Sequence, residues 1–64
     1  MSISILRLPD VQARTGLSRS LIYDLAKNER FPKQVSLGSR AVGWLESEVD
    51  TWLEERIAES RIAP

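Results

Sequence analysis

The sequence contains no cysteine and no histidine among its 64 residues. The lack of cysteine excludes disulfides and thiolate metal sites, and the lack of histidine removes the commonest general base and metal ligand. No apolar run approaches the roughly 20 residues of a membrane span, and no signal-peptide pattern opens the chain. We therefore expect a cytoplasmic protein with no membrane partner, no metal, no cofactor and no enzymatic activity.

The balance of charge is neutral overall but uneven along the chain. Residues 1–45 carry seven basic and three acidic side chains, a net charge of +4, and residues 46–64 carry six acidic and two basic ones, a net charge of −4. A split of this kind says more about partners than the total does. It permits a nucleic-acid surface in the first part, although the acidic part can equally be the solvated face of a helix.

A chain of 64 residues predicts one small domain spanning residues 1–64, with an ordered core over residues 5–57. A domain of this size buries only about 60% of the surface that its unfolded chain exposes. Two tryptophans and one phenylalanine can fill its core. Such a core leaves little room for an enclosed catalytic cavity.

The central stretch, residues 15–27, is typical of a tight turn followed by an amphipathic helix. Gly16 can adopt the positive φ needed at the end of a preceding helix, and Ser18 is a good N-cap. Leu21, Ile22, Leu25 and Ala26 recur on one face at helical spacing, while Ser20, Tyr23, Asp24 and Lys27 fall on the other. This pattern is what the recognition helix of a helix-turn-helix requires.

The flanking segments predict the remaining elements. Leu8-Pro9-Asp10 favours the start of a short first helix that ends near Arg14, after an alternating Ile3-Ser4-Ile5 that is either an edge strand or a loose tail. Phe31-Pro32 ends the second helix, with Phe31 buried between helix and sheet.

Two strands, at residues 34–37 and 42–45, predict a hairpin. A loop of even length would place four of its side chains on one face: Val35, Leu37, Val42 and Trp44. A capping box that begins at Ser47 starts the last helix, whose end frays from Ser60 to Pro64. Trp44 and Trp52 are expected to pack against each other in the core.

These motifs together resemble the AlpA family of prophage regulators. The resemblance covers about residues 5–57 and rests on six segments: residues 9–11, 15–20, 22–23, 30–33, 42–44 and 49–53. It implies a mainly α fold with a small β-hairpin, a MerR-like winged helix-turn-helix in the order helix, turn, helix, hairpin, helix. It also implies a transcriptional regulator of a prophage or mobile element, related to excisionases.

On this interpretation, residues 18–28 form a recognition helix for the major groove of double-stranded DNA and residues 36–43 form the wing. The candidate DNA-binding residues are Ser18, Arg19, Ser20, Tyr23, Lys27, Arg30, Lys33 and Arg40. Asp24 is assigned a structural role. For Arg19 and Lys27 the alternative is a solvated face, for Tyr23 partial core packing, and for Arg40 a charge that protects an edge strand.

Three functional hypotheses follow from the sequence. The first is a sequence-specific DNA-binding regulator that works as a homodimer or as cooperative neighbours on DNA, with RNA polymerase or a recombinase as a protein partner. The second is an excisionase that bends DNA for site-specific recombination. The third is a protein-interaction module that keeps the fold without binding DNA.

Overall fold

Between residues 2 and 62, three helices and a three-stranded antiparallel sheet make up the fold. The computed structural model describes residues 2–62, and for Ile62 the backbone only. In chain order the elements are β1 (Ile5–Leu6), α1 (Leu8–Thr15), α2 (Arg19–Lys27), β2 (Val35–Ser36), β3 (Val42–Leu45) and α3 (Glu46–Ile62). The predicted mainly α fold, a winged helix-turn-helix, is confirmed.

The turn between α1 and α2 has the predicted chemistry. Gly16 lies in the left-handed region at φ 73°, and its N–H donates to the carbonyl oxygen of Gln12 at 2.8 Å. Ser18 caps α2, because its Oγ accepts from the backbone N–H of Leu21 at 3.2 Å. Both helix ends are thus satisfied locally, which fixes where α2 begins.

At the other end of α2 the chain leaves through a strained residue. Glu29 has φ 59°, a left-handed conformation usually taken by glycine. Its N–H donates to Ala26 and that of Arg30 donates to Leu25, at 3.1 and 2.8 Å, which is the pairing of a Schellman motif. Phe31 follows and is buried, as predicted.

The sheet has one strand more than the predicted hairpin. Its order is β1-β3-β2, with Ile5 opposite Leu45 and Leu6 opposite Trp44. The alternation at Ile3 to Ile5 left open a strand or a tail, and the strand lies at Ile5–Leu6. A two-residue strand has little local signal of its own, because its partner lies about forty residues further along the chain.

The prediction for the faces of the hairpin was wrong. Val35 lies opposite Gly43, Ser36 lies opposite Val42, and the N–H of Leu37 donates to the carbonyl oxygen of Ala41 at 2.7 Å. The loop therefore has an odd length, residues 38–40. Because side chains alternate across a sheet, Val35 and Leu37 lie on the face of Gly43, opposite the face that carries Trp44.

The start of α3 also differs from the prediction. The helix begins at Glu46, directly after β3, so Ser47 lies inside it and the capping box was wrong. The N–H of Glu46 donates to the carbonyl oxygen of Ser4 at 2.9 Å, so the chain just before β1 supplies the acceptor. The helix continues through Ile62, and the fraying predicted from Ser60 stays a prediction. Ala63 and Pro64 lie outside the described residues.

Arg14 joins α1 to the first turn of α3. Its guanidinium donates to Asp50 at 2.7 Å and to Glu46 at 3.0 Å. The hydrogen bond with Asp50 is the main cause that raises the pKa of Arg14 above its ordinary value. These two carboxylates take one basic side chain out of the set available for a ligand.

Within residues 2–61, six side chains form the buried core: Leu6, Val11, Ile22, Phe31, Trp44 and Val49. The predicted packing of Trp44 directly on Trp52 is corrected, because Phe31 lies between the two indoles. Its ring centroid is 6.5 Å from that of Trp44 and 4.9 Å from that of Trp52, with an edge-to-face geometry in both pairs. Phe31, in the segment that follows α2, thus joins the sheet to α3.

Candidate nucleic-acid interface

The outward face of α2 is polar and exposed along its length. Four side chains on that face, spaced by three, one and three residues, are exposed: Ser20, Tyr23, Asp24 and Lys27. Behind them Ile22 is fully buried, and Leu25 and Ala26 pack against the core. Leu21, predicted on the dry face, is 41% exposed, because it lies about 100° around the helix from Ile22, at the edge of the apolar face.

Tyr23 lies between the surface and the core. The guanidinium of Arg19 lies 5.8 Å from the centroid of its ring, at cation–π distance. The ring centroid of Tyr23 also lies 6.2 Å from that of Trp44, with the two rings tilted by 60°. These contacts of Tyr23 with Arg19 and Trp44 connect α2 to β3. The sequence reading placed Trp44 in the core but missed its contact with Tyr23, because that contact depends on the register of the sheet.

Ser18 has a structural duty. Its hydroxyl oxygen accepts from the N–H of Leu21, while its O–H stays available as a donor to a ligand. The residue lies at the N-terminal end of α2, next to Arg19, where backbone N–H groups give the helix its positive end. Ser18 therefore positions the helix, and Arg19 supplies the formal charge there.

The segment after α2 is held by both tryptophans. Trp52 donates from Nε1 to the carbonyl oxygen of Arg30 at 2.7 Å, and Trp44 donates from Nε1 to that of Pro32 at 3.1 Å. Arg30 is exposed and lines an open groove against α3. The ammonium of Lys33 is 3.9 Å from the carboxylate of Glu29, and both side chains are 80% exposed, so this ion pair is weak.

Arg40 lies at the tip of the wing, in the three-residue loop of the hairpin, and is exposed. The structure brings Arg19 and Tyr23 into contact and places Ser20 and Lys27 on the same helix face. Arg30 and Lys33 follow the helix, and Arg40 belongs to another element. The candidate residues thus come from three successive parts of the chain around the α2–wing unit.

The basic and acidic side chains lie on different elements of the fold. Within residues 2–61, Arg19, Lys27, Arg30 and Arg40 make no ion pair, whereas Arg14 is bound by two carboxylates. On α3 the exposed acidic residues Glu54, Glu55 and Glu59 accompany Arg56, which pairs with Glu59 at 2.8 Å. The basic side chains therefore concentrate at α2 and the wing, and the acidic ones on α3.

Comparison of the sequence with known proteins places this chain in a family. Residues 4–57 match the family described as the prophage CP4-57 regulatory protein (AlpA). This chain belongs to the AlpA family.

Two relatives show the extent of the similarity. An uncharacterised protein, ORF88, of Enterobacteria phage P4 is 55% identical over 53 residues, which cover 83% of this chain and 60% of that protein. The DNA-binding transcriptional activator AlpA of Escherichia coli strain K12 is 46% identical over 61 residues, covering 86% of this chain and 87% of that protein. This chain thus spans about 60% of the length of the phage relative.

The AlpA family match includes every candidate residue, from Ser18 to Arg40, as well as the tryptophans that hold them. It also includes the first turns of α3, where Arg14 is bound. In residues 2–62, no helix is long and apolar enough to cross a membrane.

Proposed function

We propose that this chain binds double-stranded DNA through α2 and regulates transcription for a prophage or related mobile element. The observation that carries the proposal is the α2 face, where Ser20, Tyr23 and Lys27 are exposed while Ile22 on the opposite side is fully buried. The major groove of B-DNA admits one helix, whose outward side chains can reach base edges. The DNA-binding activator named above supports the same function.

The side chains of α2 have separate roles in this proposal. Arg19, at the positive end of the helix, binds a phosphate together with backbone N–H groups. Tyr23 donates its hydroxyl to a phosphate while its ring keeps its contacts with Arg19 and Trp44. Ser20 and Lys27 face the base edges, and Asp24 repels a misplaced phosphate.

The wing and the segment after α2 add contacts outside the major groove. Arg40, at the wing tip, suits a narrow minor groove or the flanking backbone, both of which attract an arginine. Arg30 and Lys33 bind the phosphate backbone and fix the register of the domain without reading sequence. Lys33 shares its charge with Glu29, so its contribution is the smaller of the two.

The central experiment is selection of bound sequences from random DNA, followed by titration of a selected duplex over a salt series. Arg19→Ala should lower the slope of log affinity against log salt by about 0.9, because one phosphate contact is lost. Lys27→Ala should relax the selected sequence, because Lys27 faces the base edges. Arg56→Ala is the matched control, because Arg56 lies on α3 and pairs with Glu59. No enrichment, or affinity that does not respond to salt, would overturn the proposal and favour a protein-interaction module.

A second measurement separates regulation from recombination. On the selected site, a regulator changes expression of a reporter promoter through RNA polymerase, whereas an excisionase bends the duplex and supports a recombinase. The same α2 face serves both roles, so the two are distinguished by the bend angle and by recombination yield.

A further inference from the structure

The outer half of α3 extends beyond the domain. Residues 54–61, the projecting half of α3, are exposed without exception, whereas Val49 is fully buried and Trp52 and Leu53 pack against the core. A short helix with no tertiary packing is marginal in water. These two turns continue a helix that Val49, Trp52 and Leu53 anchor, but none of their own side chains is among those packed against the core.

Contacts within the helix add little stability to residues 54–61. Arg56 pairs with Glu59, and its guanidinium lies 5.7 Å from the ring centroid of Trp52. Exposed pairs of this kind contribute little to stability, because water and salt screen them. Ile57 meanwhile lies one turn beyond Leu53 and is 50% exposed. The projecting half thus offers a branched apolar side chain that this domain does not cover.

We propose that the projecting half of α3 pairs with the same segment of a second copy, antiparallel, with the two-fold axis beside Ile57. The arrangement of charge argues for this occupant. At 100° per residue, Glu54 and Arg61 lie on one flank of Ile57. An antiparallel pair sets Glu54 of each copy beside Arg61 of the other, which gives two ion pairs. In a parallel pair this flank faces the opposite flank of the other copy, which carries Leu53 and Ser60, so neither Glu54 nor Arg61 finds a partner of opposite charge.

The contact is small, which determines when it forms. Two turns of helix bury far less than the roughly 1,200 Å² of a stable protein interface. Copies that DNA holds side by side have an effective concentration in the millimolar range, which suffices for a weak contact. This inference therefore rests on the proposed DNA binding. Because the contact is two-fold, the two half-sites must be inverted repeats.

Cysteine cross-linking tests the geometry, and the chain has no cysteine of its own. On DNA with two inverted half-sites, Ile57→Cys should form a disulfide dimer on mild oxidation. Ser60→Cys should not, since antiparallel pairing about Ile57 separates the two copies of residue 60 by about 9 Å along the axis. Glu55→Cys, on the side of the helix opposite Ile57, is the second control. Equal cross-linking at 57 and 60, or none at 57, would overturn the proposal.

Charge reversal tests the ion pairs separately from DNA binding. Affinity for a single half-site monitors the proposed function, and cooperativity on two half-sites monitors the contact. Glu54→Arg should reduce a cooperativity of about tenfold to about twofold, within the usual range for coupled sites. Glu54→Arg with Arg61→Glu should restore it, because the pairs reform with their signs exchanged. Cooperativity that is unchanged by Glu54→Arg, or unrestored in the double variant, contradicts the pairing. If the unaltered chain does not bind a single half-site, the proposed function is contradicted instead.

Discussion

Trp52 donates its indole N–H to the carbonyl oxygen of Arg30 across 2.7 Å, so α3 holds the segment that leaves α2. Trp44 does the same for the carbonyl of Pro32 from the other side of Phe31. The two tryptophans make equivalent hydrogen bonds, but Trp44 is fully buried and Trp52 is only partly so. This difference allows the hydrogen bond and the packing to be measured apart.

Trp52→Phe should lower the free energy of unfolding by about 1 kcal/mol, the usual net contribution of one hydrogen bond. Trp44→Phe should cost about 3 kcal/mol, since it also leaves a cavity in the core and a less exposed carbonyl unpaired. Urea unfolding followed by circular dichroism measures both. Equal losses would mean that burial of the two indoles is not what separates them.

Gly43→Ala should destabilise the sheet. A Cβ at this position would lie 2.4 Å from Cγ2 of Ile5 and 2.9 Å from the carbonyl oxygen of Leu6, so β1 would have to shift. We expect a loss of about 1–3 kcal/mol, as for other overpacked sites. Adding Ile5→Ala should recover only part of it, because the backbone contact remains. Full recovery in the double variant would assign the whole effect to the Ile5 side chain.

Glu29→Gly should stabilise the protein by about 1 kcal/mol. Glu29 lies at φ 59°, where a side chain costs energy and glycine does not. The ion pair lost with Lys33 is highly exposed and offsets little of this gain. Asn28→Gly is the control: its φ of −92° is ordinary and its side chain bonds the carbonyl of Asp24, so that variant should be less stable. Thermal melts that rank the two variants in the opposite order would refute the strain at Glu29.

Tyr23→Phe should weaken binding to the selected DNA by about tenfold without changing the salt slope, because it removes a hydrogen bond to a charged group but no cation. Tyr23→Ala should weaken binding further, since Arg19 loses the ring beneath its guanidinium. Titration of both variants over the same salt series measures the two effects. Unchanged affinity in Tyr23→Phe would remove the hydroxyl from the interface and leave only the ring.

The helices and the turn between them were predictable because their signals are local. Gly16, Ser18 and the Phe31-Pro32 pair each act within one turn of chain, and the structure has them where the sequence predicts. The register of the hairpin was not predictable from Gly38-Ser39, because these turn residues are compatible with a loop of either even or odd length. The start of α3 depends on the carbonyl of Ser4 and on Arg14, which are distant in sequence.

In the candidate site, too, the local features were predictable and the contacts between elements were not. Helical spacing alone indicates that Ser20, Tyr23 and Lys27 share a face, and the structure has them exposed together. The contact of Tyr23 with Trp44 needs the fold, because it joins residues from two elements. Whether these side chains touch DNA is a prediction that the experiments above test.

The pairing of β1 with β3 has a consequence for synthesis. The ribosome releases Ile5 and Leu6 first, but their partners, Leu45 and Trp44, emerge only after most of the chain has been made. Until then β1 has no strand to pair with. The carbonyl oxygen of Ser4, which accepts from the N–H of Glu46 at the start of α3, likewise has no donor. We therefore expect the nascent chain to stay unfolded until β3 leaves the exit tunnel, and a released fragment that ends before Val42 to be open to proteases.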